Sequence, residues 1–91
     1  MIVVCYDVSL VSSSDAKRLR RVAKTCEAYG IRVQNSVFEV SVPTAELIAF
    51  KDRLLRTIDP ARDSLRLYTV LGACETFGQS GPPLDGSNWV L

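Results

Sequence analysis

An aspartate closes the first apolar segment of the chain, and its type and position could support chemistry. Asp7 follows the β-branched, apolar run from Ile2 to Tyr6, and a carboxylate ending a buried strand is costly unless it is hydrogen-bonded, paired or cation-bound. Two copies of Asp7 facing each other across a dimer axis would either raise the pKa of one carboxyl group or recruit a divalent cation. Mg²⁺ fits such a site, because it accepts one or two carboxylates and keeps several waters, one of which could attack a phosphodiester. The alternative is a turn carboxylate that accepts the amides of Val8 and Ser9.

A second feature is a concentration of basic residues between positions 15 and 32. This segment contains six lysines and arginines and only two acidic residues, which gives a local net charge of +4. These six are Lys17, Arg18, Arg20, Arg21, Lys24 and Arg32. Residues 17, 20, 21 and 24 have the spacing of one helix face, and such a stripe could follow the phosphates of a nucleic acid. The alternative is an ordinary solvated helix face.

The chain contains no histidine, and this excludes several kinds of active site. Ser-His-Asp and Cys-His nucleophiles and histidine-ligated zinc all need imidazole, so any catalysis must use carboxylates, hydroxyls, thiols or a carboxylate-held metal. At 91 residues and a net charge of +1, we expect one small domain that gains from a partner subunit.

The N-terminal apolar run is too short for a membrane span and no basic region precedes it, so we expect no membrane association and a cytoplasmic location.

The three cysteines, Cys5, Cys26 and Cys74, lack C-x-x-C spacing. This spacing favours reduced core thiols over disulfides or a zinc site.

In the first third of the chain, the apolar pattern predicts a strand and then a helix. Residues 2–8 form a short, β-branched segment that is apolar on both alternating sets of positions, a pattern typical of a strand covered on both faces. Ser12 and Asp15 have the spacing of a capping box, and an apolar stripe then predicts a helix over residues 14–29. Gly30 stands where a left-handed C-terminal residue is expected.

The remaining pattern predicts two short strands, a second helix and a last strand. Over residues 31–42 the apolar positions change parity near Asn35, which requires a turn or bulge between two antiparallel strands. Thr44 is placed to cap a helix that ends before Pro60. Residues 65–71 alternate as a strand.

The predicted order, β-α-β-β-α-β, is the ferredoxin-like arrangement of the α+β class: an antiparallel sheet with both helices on one face. Because the first strand is apolar on both faces, we expect a homodimer that buries sheet against sheet. We divide the chain into a core domain over residues 1–72 and a C-terminal arm over residues 73–91. The arm is rich in Gly and Pro and ends in the strand-like Trp89–Leu91.

Four segments within residues 2 to about 71 carry a more specific signal. They are Val4-Cys-Tyr-Asp-Val8, Lys17-Arg-Leu-Arg-Arg-Val-Ala-Lys24, Tyr29-Gly30 and Arg32-Val-Gln-Asn-Ser-Val-Phe-Glu39. Together they resemble the small CRISPR-associated proteins of the Cas-two family. The resemblance implies a ferredoxin-like homodimer that joins dimers of the CRISPR integrase on duplex prespacer DNA during spacer acquisition. In some members it also implies divalent-metal-dependent cleavage of RNA or DNA.

The resemblance also assigns roles to individual residues. It implies that Asp7 binds Mg²⁺, or another divalent cation such as Mn²⁺, and is catalytic, with Tyr6 as the aromatic residue beside it. Arg32 matches a phosphate contact, and Ser36 and Phe38 match residues that shape the dimer cleft. The basic residues of the first helix match nucleic-acid-binding positions more loosely, for duplex DNA and also single-stranded RNA. For Phe38, a core position on its strand is the alternative.

Two other functions remain open at this point. A small toxin-type ribonuclease of the same fold would carry a similar aspartate on its first strand. A ferredoxin-like regulatory domain would bind a small molecule at its dimer interface, although the basic stripe argues against this interpretation.

Overall fold

The computed structural model describes residues 1–78 and contains four strands and two helices in the predicted order. The elements are β1 (Ile2–Asp7), α1 (Ser13–Tyr29), β2 (Ile31–Gln34), β3 (Val37–Val40), α2 (Thr44–Thr57) and β4 (Ser64–Thr69). All strand pairs are antiparallel, and the sheet order is β2-β3-β1-β4. The α+β, ferredoxin-like fold class is therefore confirmed.

Alternation along β1 separates the two faces of the sheet. Ile2, Val4 and Tyr6 are buried and join the core cluster beneath the helices. Because neighbouring strand residues point to opposite faces, Val3 and Cys5 lie on the other face, together with Asp7. This second face carries no helix, and we call it the open face.

The helices close the core with side chains of their predicted apolar stripes. Val22 and Cys26 of α1 and Phe50 and Leu54 of α2 are fully buried. The rings of Tyr29 and Phe50 pack with centroids 5.0 Å apart. Full burial of one such aliphatic or aromatic side chain contributes roughly 1.5–3 kcal/mol, so these few residues hold the helices to the sheet.

The capping box of Ser12 and Asp15 starts α1, as predicted. Two other expectations about helix ends are wrong. Gly30 has extended backbone, with φ of −153°. A glycine is needed at this position for lack of space, because a Cβ there would overlap the Glu39 carbonyl oxygen and a methyl group of Val40. Thr44 is the first helical residue of α2, whose N-cap position is occupied by Pro43.

The turn between β2 and β3 lies at residues 35–36, where the change of parity placed it. The register also shifts between Arg32 and Gln34, so a bulge accompanies the turn. The strands are shorter than their apolar patterns, since β3 ends at Val40 and β4 at Thr69.

The three cysteines occupy different environments, and all are free thiols. Cys26 is a core thiol, and burial raises its pKa to about 12. Cys5 is half-buried on the open face, and Cys74 is exposed. The prediction of core thiols is correct for Cys26 and wrong for Cys74.

Most of the proposed C-terminal arm, including Trp89–Leu91, lies outside the described residues, so the division at residue 72 stays a prediction. Residues 71–78 are exposed, with Leu71 and Phe77 among them.

Across residues 1–78, neither helix has the length and apolarity needed to cross a bilayer.

Candidate functional site

Asp7 is the last residue of β1, on the open face, and its side chain is exposed. Its strand partner is Ser64 of β4. The expectation of a costly buried carboxylate is therefore wrong for this residue. The capping alternative also fails, because the backbone N–H of Ser9 donates to Oδ1 of Asp63 at 3.1 Å. Within residues 1–78, the Asp7 carboxylate accepts no hydrogen bond and is available to a ligand.

A metal site within one chain would need more than this carboxylate. In the described part of the chain, no group of three acidic, cysteine or histidine side chains lies together. Mg²⁺ binds to proteins through as few as one or two carboxylates while keeping several waters. Asp7 supplies one such carboxylate, and a site with two would need Asp7 of a second chain.

The open face beside Asp7 combines apolar and polar residues. Cys5 lies between Val37 of β3 and Arg66 of β4. Arg66 donates to the hydroxyl of Tyr68 at 3.4 Å, and this contact raises the pKa of Arg66. The centre of the face is therefore apolar at Val37 and Cys5 and polar along β4, a composition suited to contact with another protein surface.

Beyond Asp7, the segment between β1 and α1 is held by a network of charged residues that the sequence analysis missed. Asp15 and Asp63 have fully buried side chains, and Arg18 pairs with both, through Nη1–Oδ1 of Asp15 at 2.8 Å and Nε–Oδ2 of Asp63 at 2.7 Å. Arg62 pairs with Asp15 at 2.5 Å. Ser9 is bound by three members: Asp63 at its N–H, Arg18 at its carbonyl and Arg62 at its hydroxyl.

The network shifts the pKa values of its members in the directions expected for ion pairs. The backbone N–H of Ser12 and the guanidinium of Arg62 hold the pKa of Asp15 well below its usual range. Arg18 lowers the pKa of Asp63 to about 2. The two carboxylates in turn raise the pKa of Arg18. The charges of Asp15, Asp63 and Arg18 therefore persist at neutral pH.

This network occupies the guanidinium of Arg18, one of the candidate nucleic-acid contacts. Its side chain is only 15% exposed, and its donors are directed at Asp15, Asp63 and the carbonyl of Ser9. A phosphate would have to replace buried carboxylates to reach it. Ion pairs therefore occupy the guanidinium of Arg18, and this arrangement argues against the predicted role of Arg18 in nucleic-acid binding.

The other basic residues of α1 are positioned as the helical spacing predicts. Lys17, Arg20, Arg21 and Lys24 are all exposed. None of them has a carboxylate within ion-pair distance over the described residues, whose ion pairs involve other arginines. We refer to these four residues as the α1 basic stripe. Their charges are available to an external anion.

Tyr6 and Phe38 belong to the core cluster. Phe38 is fully buried, and its ring lies 6.1 Å from that of Tyr6. Burial raises the pKa of Tyr6, whose hydroxyl donates to the carbonyl of Asn35 at 3.3 Å. Phe38 is therefore a core residue, as the alternative interpretation had it, and its role in shaping a dimer cleft stays a prediction. Ser36 is half-buried in the β2–β3 turn, and its backbone carbonyl accepts a hydrogen bond from the N–H of Tyr6 at 3.1 Å.

Arg32 lies on the helical side of the sheet. Its Cζ is 5.0 Å from the centroid of the Phe38 ring, and its guanidinium is 3.5 Å from Glu27. Its Nε is buried without a hydrogen-bond partner among residues 1–78. Arg32 therefore packs with Phe38, on the face of the sheet opposite Asp7.

Sequence position offered only a partial signal for the missed residues. Asp15 has the spacing of a capping residue, and Arg18 follows it at i+3, which suits an ion pair within one helix. Nothing in the spacing indicated Arg62 as a second partner. Asp63 lies at a turn before β4, a position that also suits an exposed aspartate. Their pairing depends on contacts between segments 45 and 47 residues apart.

Comparison with known proteins was consistent with this geometry. The family model described as CRISPR associated protein Cas2 matches residues 1–76. A CRISPR-associated endoribonuclease Cas2 from Rhodospirillum rubrum is 59% identical over 70 residues, covering 77% of this chain and 74% of the relative. One from Chlorobaculum tepidum is 47% identical over 89 residues, covering 98% and 77%.

A solved structure leads to the same family. The crystal structure of Streptococcus pyogenes Cas2 at pH 6.5 superposes with a TM-score of 0.71 and 49% sequence identity. The match covers 85% of this chain and 98% of the Streptococcus chain. Because the family model matches most of the chain, over residues 1–76, the chain belongs to the CRISPR-associated protein Cas2 family.

Proposed function

We propose that this protein acts in CRISPR adaptation as a homodimeric adaptor that holds duplex prespacer DNA and joins it to the CRISPR integrase. The observation that carries the proposal is the α1 basic stripe, four exposed cations with no carboxylate partner in the described part of the chain. Such a row neutralises backbone phosphates irrespective of base sequence. An adaptor for varied prespacers needs this kind of contact.

The open face supports the homodimer. Its centre is apolar at Cys5 and Val37, and no element of residues 1–78 covers it. Two copies packed face to face would remove these side chains from water. They would also bring two copies of Asp7 to one interface if the symmetry axis passes near the ends of the β1 strands.

The family match favours the adaptation role over a toxin-type ribonuclease or a small-molecule regulatory domain. A protein that binds prespacer DNA would work where that DNA is captured, and we propose a cytoplasmic location. The partners are therefore a second copy of this chain, the integrase and duplex DNA.

The adaptor role is tested by separating DNA binding from Asp7. Asp7→Ala should still bind duplex prespacer and the integrase, because Asp7 lies on the open face of the sheet whereas the α1 basic stripe lies on a helix of the opposite face. Charge reversal at Arg20, Arg21 and Lys24 should abolish duplex binding while the circular dichroism spectrum stays unchanged. Unchanged DNA affinity after the triple reversal would contradict the proposal.

Metal-dependent phosphodiester cleavage is a second candidate function. The nuclease names of the relatives support a phosphodiester hydrolase, and the supporting observation in this chain is the exposed Asp7 carboxylate without an internal partner. Asp7 from each of two chains would hold the divalent cation. When bound, a cation of this kind supplies Lewis-acid activation of a phosphodiester or of water. The substrate could be single-stranded RNA or duplex DNA.

A further inference from the structure

A groove of about 370 Å³ lies between α1 and α2, on the side of the molecule formed by the helices. Its lining consists of four cationic and two threonine side chains. They are Arg21, Lys24, Thr25, Arg53, Arg56 and Thr57. Arg21 and Lys24 also belong to the α1 basic stripe, so the groove continues that stripe onto the second helix.

The hydroxyls of the groove are already used within the helices. Thr25 donates to the carbonyl of Arg21 at 2.9 Å, and Thr57 donates to that of Arg53 at 2.7 Å. A ligand in the groove would therefore be bound chiefly by the cationic side chains. This composition selects an anion over a neutral molecule.

Arg53 is held in position by an aromatic ring, and no carboxylate neutralises it within the described residues. Its Cζ lies 5.6 Å from the centroid of the Tyr29 ring, a cation–π arrangement. Tyr29 in turn packs against Phe50 of the core, at 5.0 Å between centroids. No ion pair to Arg53 is formed within residues 1–78. The Arg53 guanidinium is thus held in position and is available to an external anion. A guanidinium is planar and can bind a phosphate through two N–H donors.

One carboxylate reduces the charge of the groove. Asp52 pairs with Arg56 one helical turn away. Arg21, Lys24 and Arg53 have no such partner in the described residues, so three cations from two helices remain uncompensated. Their convergence is not a consequence of overall basicity, because the whole chain has a net charge of only +1.

We propose that this groove is a second phosphate-binding surface for nucleic acid, with Arg53 as its central contact. A nucleic-acid backbone that follows the α1 basic stripe would continue across Arg53 of α2. The proposal rests on the proposed nucleic-acid-binding function and extends it to a helix that the sequence analysis did not include.

The test measures how the affinity for a blunt-ended DNA duplex depends on salt, for the full chain and single variants. If Arg53 neutralises a phosphate, Arg53→Ala should reduce the slope of log K against log salt by about 0.9 for each groove engaged. Arg53→Lys should retain the slope, because the charge is kept. Lys51→Ala is the matched control: it removes a charge from the same helix but lies outside the groove, and should leave the slope unchanged.

The outcomes separate this inference from the proposed function. If Arg20→Ala reduces the slope but Arg53→Ala does not, the groove proposal is overturned and the adaptor proposal stands. Equal effects of Arg53→Ala and Lys51→Ala would show only general charge attraction and would also overturn it. A wild-type chain that does not bind the duplex overturns both. Loss of integrase binding alone in Arg53→Ala would assign the groove to an acidic protein surface instead.

Discussion

The carboxylate of Asp63 accepts two hydrogen bonds from the guanidinium of Arg18, at 2.7 Å from Nε to Oδ2 and 2.9 Å from Nη2 to Oδ1. This bidentate pair joins residues 45 positions apart and connects α1 to the turn before β4. Asp63 also accepts the N–H of Ser9, two residues after Asp7. The pair therefore holds the chain segment that leaves the candidate metal-binding residue.

We expect Asp63 to account for part of the acid sensitivity of folding. Its pKa is lowered from 3.8 to about 2 by Arg18. The ionised carboxylate therefore stabilises the fold above about pH 4, and this contribution is lost as the pH falls toward 2. Asp63→Asn should lower the urea midpoint at neutral pH and flatten its decline in this range. Asp15, whose pKa is also lowered, should retain part of the decline.

Asp52→Asn is the control for that measurement. Asp52 also pairs with an arginine, but both side chains are more than half exposed, and exposed pairs contribute about 0–1 kcal/mol. Its midpoint should change little at any pH. An Asp63→Asn profile parallel to that of the wild type would contradict the role given to the buried pair.

Asp7→Ala should separate cleavage from stability. Because the Asp7 carboxylate is exposed and accepts no hydrogen bond within residues 1–78, its loss should change the free energy of unfolding by no more than about 0.5 kcal/mol. Cleavage of RNA or duplex DNA in Mg²⁺ should fall to background. Glu46→Ala, which removes an exposed carboxylate from the first turn of α2, should cut normally. An Asp7→Ala protein that cuts as fast as the wild type would end the metal-cleavage hypothesis.

The α1 basic stripe should determine the salt dependence of DNA binding. If its four residues each neutralise one phosphate in both chains of a dimer, the logarithm of the DNA-binding constant should fall with the logarithm of the salt concentration with a slope of about −7. Arg20→Ala should weaken this slope by about 1.8, since one contact is lost from each chain. A slope near zero for the wild type would show that the stripe is only a solvated helix face.

Placing a charge on the open face should disrupt the homodimer. Val37 lies beside Cys5 near the centre of that face, so Val37→Lys would bury a charge at the proposed interface. We expect a monomer by analytical ultracentrifugation with an unchanged circular dichroism spectrum. Ile48→Lys is the matched control, because Ile48 is 65% exposed on α2. If Val37→Lys remains dimeric, the interface lies elsewhere on the molecule.

Local patterns in the sequence were sufficient for much of the fold. The capping box of Ser12 and Asp15 and the stripe through Val22 and Cys26 predicted α1 to within a residue, and the change of parity near Asn35 predicted the β2–β3 turn. These features could be predicted because they depend on backbone geometry over a few residues. The resemblance to the Cas2 family was confirmed by the family model.

The candidate site was predicted less completely, since its residues interact over long sequence distances. Arg18 and Arg20 are alike in sequence, but one is enclosed by buried carboxylates and the other is exposed. Arg53, more than twenty residues after the α1 basic stripe, joins its surface only because α1 and α2 pack side by side.

The sequence by itself determined the order of the elements, the helix start at Ser12, the α1 basic stripe and the absence of imidazole chemistry. Only the tertiary structure decided that Asp7 is exposed, that Asp63 and Asp15 are buried and that Phe38 faces the core. The physical reason is that periodicity and capping act between neighbours along the chain. Burial and ion pairing depend on which distant segments meet, and a single sequence does not specify those contacts locally.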